Sequence, residues 1–156
     1  MPLIENTAPD FTLPTDGGCS FTLSDSGAEF VVLFFYPKDD TPGCTKEAIG
    51  FTEKVADFAA LGAKIVGISK DPVAKHDKFI AKHDLAVTLV SDADSDVCET
   101  YGTWVEKNMY GKKYMGIERS TLLIGKDLTI LESWSKVKVP GHVDAVLEAV
   151  KTHAHG

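Results

Sequence analysis

The sequence predicts an α/β fold: a mixed central sheet with helices on both faces, preceded by an N-terminal β-hairpin. Two observations predict it. Short β-prone apolar runs alternate with segments of helical periodicity, which implies parallel strands joined by helical crossovers. The last two strand-like runs are separated only by the turn Gly125-Lys126-Asp127, so they pair antiparallel and make the sheet mixed.

The elements follow in order. Residues 10–14 (Asp-Phe-Thr-Leu-Pro) and 20–24 (Ser-Phe-Thr-Leu-Ser) alternate apolar and polar around Thr15-Asp16-Gly17-Gly18 and read as the hairpin. Glu29 to Tyr36 is a continuous apolar run, expected of a central strand covered on both faces. A helix is expected over Cys44 to Leu61, stopped by Gly62. At about 100° per residue, Ala48, Phe51, Val55, Phe58 and Ala59 fall within roughly 60° of Cys44, which heads the buried stripe. Ile49 falls about 140° away, beside Glu53 on the polar face, an odd place for an isoleucine.

Ala63 to Ser69 is a second buried strand that ends at Asp71-Pro72. Val73 to His83 is a helix with Pro72 near its start. Val87 to Val90 is a short strand, and Asp94 to Tyr101 a short helix with Val97 and Tyr101 on its core face. Residues 106–116 read as a solvated hairpin or loop. Arg119 to Ile124 and Thr129 to Ser135 are the antiparallel pair, and Val143 to His153 is a closing amphipathic helix. The tail from His153 to Gly156 is expected to fray. This order is the layout of a thioredoxin-like domain with an N-terminal extension, and residues 1–156 are read as one such domain.

Composition narrows the function classes. Hydrophobic residues at 44 % and charged residues at 25 % are ordinary for a soluble globular chain. The net charge of −7 argues against nucleic acid or an anionic membrane as partner. The longest apolar run, Phe30 to Tyr36, is too short to span a bilayer. Met1 to Asn6 lacks the basic and apolar regions of an export signal. Three cysteines, an odd number, do not make a disulfide framework, and a reducing cytoplasm is the expected compartment. There is no P-loop, no G-x-G-x-x-G and no Cys-x-x-Cys. His76 and His83 lie seven apart on one helix face, but no third ligand follows at metal spacing; that face is read as solvated. Trp104 and Trp134 are read as core or pocket wall.

The chemistry concentrates in Phe34-Phe35-Tyr36-Pro37-Lys38-Asp39-Asp40-Thr41-Pro42-Gly43-Cys44-Thr45-Lys46-Glu47. It runs from an apolar strand through a turn with two prolines to a cysteine at the mouth of a helix. Backbone N–H groups and the helix dipole favour a thiolate at such a place. Thr41, three residues before Cys44, has a hydroxyl that can face the thiol as donor or acceptor. Pro37 and Pro42 stiffen the approach, and Pro37 can shield a thiol pocket from water. Arg119 is the single arginine among the 16 basic residues, which points to a role that needs a planar, permanently charged fork.

Pro37-x-x-x-Thr41-x-x-Cys44 resembles the active-site signature of the peroxiredoxins. The longer string through Ala48 resembles the PrxQ branch, also called bacterioferritin comigratory protein. So do Ala8-Pro9-Asp10-Phe11-Thr12-Leu13, Gly67-Ile68-Ser69-x-Asp71, Val90-Ser91-Asp92 and the run from Met109 through Arg119 to Thr121. The resemblance covers nearly the whole chain in order. It implies a thiol peroxidase acting on hydrogen peroxide and organic hydroperoxides, with Cys44 passing through a sulfenic acid. It implies Thr41, Arg119 and the backbone at Gly43 and Cys44 as donors to the developing charge. Glu47, one turn into the helix, is read either as holding Arg119 in place or as a solvated first-turn acid. No metal, haem or flavin is implied. The implied partners are a peroxide and an external thiol, thioredoxin or glutathione with glutaredoxin; the implied state is a monomer, with a weak dimer as the alternative.

The chain departs from the resemblance at the resolving cysteine. Many PrxQ members carry it five residues after the first, which is Ile49 here, or in the next helix, at or near Ile80. The expectation is therefore one-cysteine chemistry with an external reductant. Cys98, and after it Cys19, are the intramolecular alternatives. A disulfide oxidoreductase and a redox sensor or holdase that uses Cys44 as a switch are the rival functions; the missing Cys-x-x-Cys argues against the first, and sustained peroxide consumption discriminates the second.

Overall fold

A computed structural model of the chain describes residues 6–155. Met1 to Glu5, most of the stretch read as lacking an export signal, and Gly156 lie outside the described residues. The hairpin is β1 (Thr12–Pro14) and β2 (Ser20–Thr22), with Leu13 opposite Phe21. The apolar run becomes β3 (Phe30–Phe35) and is buried throughout except at its first residue. Next come β4 (Ala63–Ser69), β5 (Thr88–Ser91), β8 (Ser120–Gly125) and β9 (Ile130–Trp134). They form one five-stranded sheet in the order β5-β4-β3-β8-β9. β3, β4 and β5 are parallel, whereas β8 and β9 run antiparallel, as the short connection between the last two requires.

The two-residue period of β3 divides the core. Val31, Leu33 and Phe35 face one side, where the N-terminal segment (Ala8, Phe11, Leu13, Phe21, Leu23) and α4 (Val97–Thr100) cover them. Val32, Phe34 and Tyr36 face the other side. There they meet α1 (Pro42–Glu53), α2 (Val55–Ala60), α3 (Val73–His83) and α5 (His142–His155). Helices thus lie on both faces, but unequally: a four-residue helix and the hairpin serve where four helices serve opposite.

The structure corrects several boundaries. The helix expected over Cys44 to Leu61 breaks at Lys54 (φ −105, ψ 6), whose N–H turns to the carbonyl of Phe51. The break resets the helical phase, so Phe58 stays buried while Ala59 becomes exposed. Gly62 ends the run with φ +80, a conformation that favours glycine. Ile49, assigned to the polar face, is half-buried against the α1 side of the core. The segment 106–116 is a formed hairpin, β6 (Trp104–Met109) paired with β7 (Lys112–Ile117). The tail expected to fray continues α5 through His155. Among the described residues no helix is long and apolar enough to cross a membrane.

Candidate active site

β3, the middle strand, delivers Tyr36 at its C-terminal end, and Pro37–Thr41 turns the chain into α1. Pro42 takes the first helical position, where a missing N–H costs nothing. Thr41 is the extended N-cap (φ −92, ψ 155), and its carbonyl accepts the Thr45 N–H at 2.8 Å. Its hydroxyl donates to the Lys38 carbonyl at 2.8 Å, so the Thr41 proton goes to the loop backbone and the oxygen lone pairs are left to accept. Cys44, the third residue of α1, is 1 % exposed and heads a stripe with Ala48 and Phe51.

Arg119 comes from far along the chain because of strand register. β3 and β8 pair antiparallel with Phe35 opposite Ser120, so residue 119 stands beside the start of the turn that leads to Cys44. Its fork reaches two acceptors. Nη2 donates to Cys44 Sγ at 3.3 Å and Nη1 to Glu47 Oε1 at 2.7 Å. Gly43 makes room: a Cβ there would lie 3.0 Å from Arg119 Nη2.

The electrostatics follow from burial. Glu47 is fully buried and its Oε2 has no hydrogen-bond partner. Desolvation pushes its carboxyl up to about 7 against the pull of Arg119. Arg119 is also desolvated, yet the sulfur and the carboxylate beside it hold its pKa above the usual value. His142, at the start of α5, lies 2.8 Å from the Thr121 hydroxyl; burial and the nearby Arg119 lower it to about 4. Pro37 is half-buried and lines a groove of about 320 Å³ with Lys38, Trp104, Lys107, Tyr114 and Met115. The Lys107 ammonium is held below its usual pKa by desolvation and by Arg119, which ties this groove to the Cys44 centre. Among the described residues no cluster of three or more His, Cys, Asp or Glu could hold a metal ion.

The structure thus brings together Cys44, Gly43, Glu47 and Arg119, with Thr41 capping the same helix. It does not bring the other cysteines to them. All three thiols are free. Cys98, weighed as an intramolecular partner, is fully buried, in the core on the opposite side of the sheet from Cys44. Cys19 is exposed in the hairpin turn, its sulfur 3.9 Å from the Gly17 carbonyl.

One constellation escaped the sequence reading. His76, assigned to a solvated face, is fully buried and bonds Asp39 from the active-site turn at 2.6 Å. The Tyr36 hydroxyl donates to the other Asp39 oxygen at 2.5 Å. The signal was the apolar Phe79 three residues on, which puts His76 on the inward side of α3.

Comparison with known proteins identifies the family. The AhpC/TSA family model matches residues 4–133. Peroxiredoxin Bcp of Xanthomonas campestris is 47 % identical over 154 residues, covering 97 % of this chain and 96 % of its own. Peroxiredoxin Bcp of Bacillus subtilis is 45 % identical over 148 residues, covering 95 % and 94 %. A solved bacterioferritin comigratory protein of Xanthomonas campestris, studied for its alkyl peroxide reduction, superposes with a TM-score of 0.87 at 46 % identity over 92 % of each chain. With the family model matched over most of the chain and relatives at 45–47 % identity over nearly all of it, the protein belongs to the AhpC/TSA family of peroxiredoxins, in the PrxQ/Bcp branch.

Proposed function

We propose that this chain is a thiol-dependent peroxidase for hydrogen peroxide and organic hydroperoxides, with Cys44 as the attacking sulfur. The single observation that carries the reading is the Arg119 fork, which donates at once to Cys44 Sγ and to the buried Glu47. The Cys44 thiolate attacks one peroxide oxygen, the O–O bond breaks, and the product is a Cys44 sulfenic acid plus an alkoxide or hydroxide that takes a proton. Arg119 and the α1 backbone around Gly43 stabilise charge as it moves onto the departing oxygen. The Thr41 hydroxyl, its proton committed to Lys38, accepts from the peroxide O–H. Pro37 screens the sulfur from bulk water, and Glu47 holds the Arg119 plane.

Resolution by an external thiol fits best. A first thiol forms a mixed disulfide with Cys44 and releases water; a second frees Cys44 as a thiol and leaves as a disulfide. Two facts support this: isoleucines stand at positions 49 and 80, and Cys98 lies in the other core with its thiol pushed far up by burial and Asp92. Thioredoxin and glutathione with glutaredoxin are the proposed donors, the cytoplasm the compartment, and a monomer of one domain the working form. Catalysed peroxide consumption with each donor in turn is the test. Turnover with a donor and none in the Cys44→Ser variant is expected. A quantitative Cys44–Cys98 or Cys44–Cys19 disulfide after one equivalent of peroxide would overturn the one-cysteine scheme.

A further inference from the structure

We propose that His76 is a positioning residue for the Cys44 reaction, fixing the Pro37–Thr41 turn through its buried contacts with Asp39 and Val90. The inference rests on the reading of Cys44 as the attacking thiol.

His76 projects from α3, whereas the sulfur belongs to α1. Both of its ring nitrogens face acceptors: Nδ1 lies 2.6 Å from Asp39 Oδ2 and Nε2 2.9 Å from the Val90 carbonyl. Each nitrogen must therefore carry a hydrogen, which makes the ring an imidazolium paired with the Asp39 carboxylate. The second Asp39 oxygen is filled by the Tyr36 hydroxyl. The Asp39 N–H donates to Asp71 Oδ2 at 2.7 Å, and Ser69 and Lys75 hold Asp71 in turn. Asp39 is thus anchored by backbone and by both carboxylate oxygens.

The next residue is held from the same helix. Asp40 has φ +61, the left-handed region that a residue with a side chain rarely adopts. Its carboxylate takes Lys82 at 2.7 Å and His83 at 2.8 Å, both at the end of α3. The two histidines seven apart on one helix face are therefore explained without a metal: they grip two consecutive aspartates of the turn. A strained residue persists only where its surroundings over-determine it, and such places cluster at functional sites. Buried ion pairs add little net stability, but they fix geometry.

What that geometry serves is the meeting of Cys44 with Arg119. The guanidinium is placed by β8, the sulfur by the turn and the first residues of α1. Each reaches the site independently, so a small shift of the turn moves the sulfur off the fork, and displacements of about 1 Å can cost on the order of a hundredfold in rate.

The experiment compares two amides at one position. Asparagine places its N–H₂ near the Nδ1 position and keeps the Asp39 contact; glutamine reaches toward Val90 and forfeits Asp39. Single-turnover oxidation of reduced protein by hydrogen peroxide is followed by stopped flow, with thermal unfolding measured alongside. The expected result is that His76→Asn keeps the oxidation rate within about threefold while His76→Gln slows it about tenfold or more at comparable thermal stability. Asp39→Ala, which removes the same buried contact from the turn side without touching α3, is expected to slow oxidation as His76→Gln does, and decides the question alone if the histidine variants fail to fold. Wild-type rates in His76→Gln and Asp39→Ala would overturn the proposal, as would equal loss in both histidine variants in step with their stability. Peroxide reduction that persists in Cys44→Ser would instead overturn the underlying reading, so the two failures are separable.

Discussion

Cys44 and Cys98 occupy the same local position and opposite environments. Each is a buried, free thiol in the first turn of a helix, third residue of α1 and second residue of α4. At Cys44 the neighbour is a cation: Arg119 donates to the sulfur at 3.3 Å. At Cys98 the neighbour is an anion. The Asp92 carboxylate accepts the N–H groups of Val97 and Cys98 at 3.1 and 2.8 Å, taking the donors that a thiolate would have used. Burial, with Asp92 beside it, pushes the Cys98 thiol far above its ordinary range. A helix N-terminus alone therefore does not set a thiol's surroundings: the fold places a cation beside one sulfur and an anion beside the other.

The largest expected effect tests the comparison outright. Cys44→Ser abolishes thiol-driven peroxide turnover, while Cys98→Ala, with a small apolar residue in an apolar core, keeps the rate within about twofold. Loss of turnover in a folded Cys98→Ala protein would break the contrast. Next, Arg119→Lys keeps the charge and loses the fork, so Cys44 oxidation slows by about a hundredfold with the fold intact, as measured by stopped flow; that is the scale of removing one preorganised donor. An unchanged rate would mean that charge alone suffices.

Asp92→Asn probes the other helix. It breaks a buried contact with Lys70 (3.2 Å) and unsettles the α4 cap, and is expected to destabilise the fold by on the order of 3 kcal/mol in denaturant titration. It also lets Cys98 titrate closer to an ordinary thiol, read by alkylation rate against pH. The smallest effect concerns Glu47. Its carboxyl rises to about 7 in the native state, so the native state holds that proton more tightly than the unfolded chain does. Stability is therefore lost as pH rises from the ordinary carboxylate range through about 7. Glu47→Gln removes that dependence: relative to wild type the variant gains on the order of 2 kcal/mol between pH 5 and pH 8. A flat difference across that range would show the carboxylate to be ionised throughout.

The fold was largely legible because its signals are local and repeated. The continuous apolar run in Phe30–Phe35, the turn at Gly125-Lys126-Asp127 and the Gly62 stop each act within a few residues, and the strands appeared where expected to within a residue or two. The break at Lys54 was not legible, because Cys44 to Leu61 holds no proline and its one glycine, Gly50, lies four residues upstream. The candidate site was legible in two unequal ways. Cys44 announced itself through its turn; Arg119 emerged from its rarity and the family resemblance, since nothing near residue 119 points to a thiol. His76 was misplaced because a spacing of seven defines a helix face without saying what covers it.

The sequence by itself determined a cysteine at the mouth of a helix behind a rigid turn, a mixed sheet, and one arginine able to play a fork's part. Those are matters of local geometry and residue chemistry, carried by a few neighbouring side chains. Only the tertiary structure decided which groups meet. The pairing of Phe35 with Ser120 sets Arg119 beside Cys44, and packing of α3 against the sheet sets His76 on Asp39. Partners separated by 75 and 37 residues leave no local trace, since their contact depends on register and packing summed over the whole core.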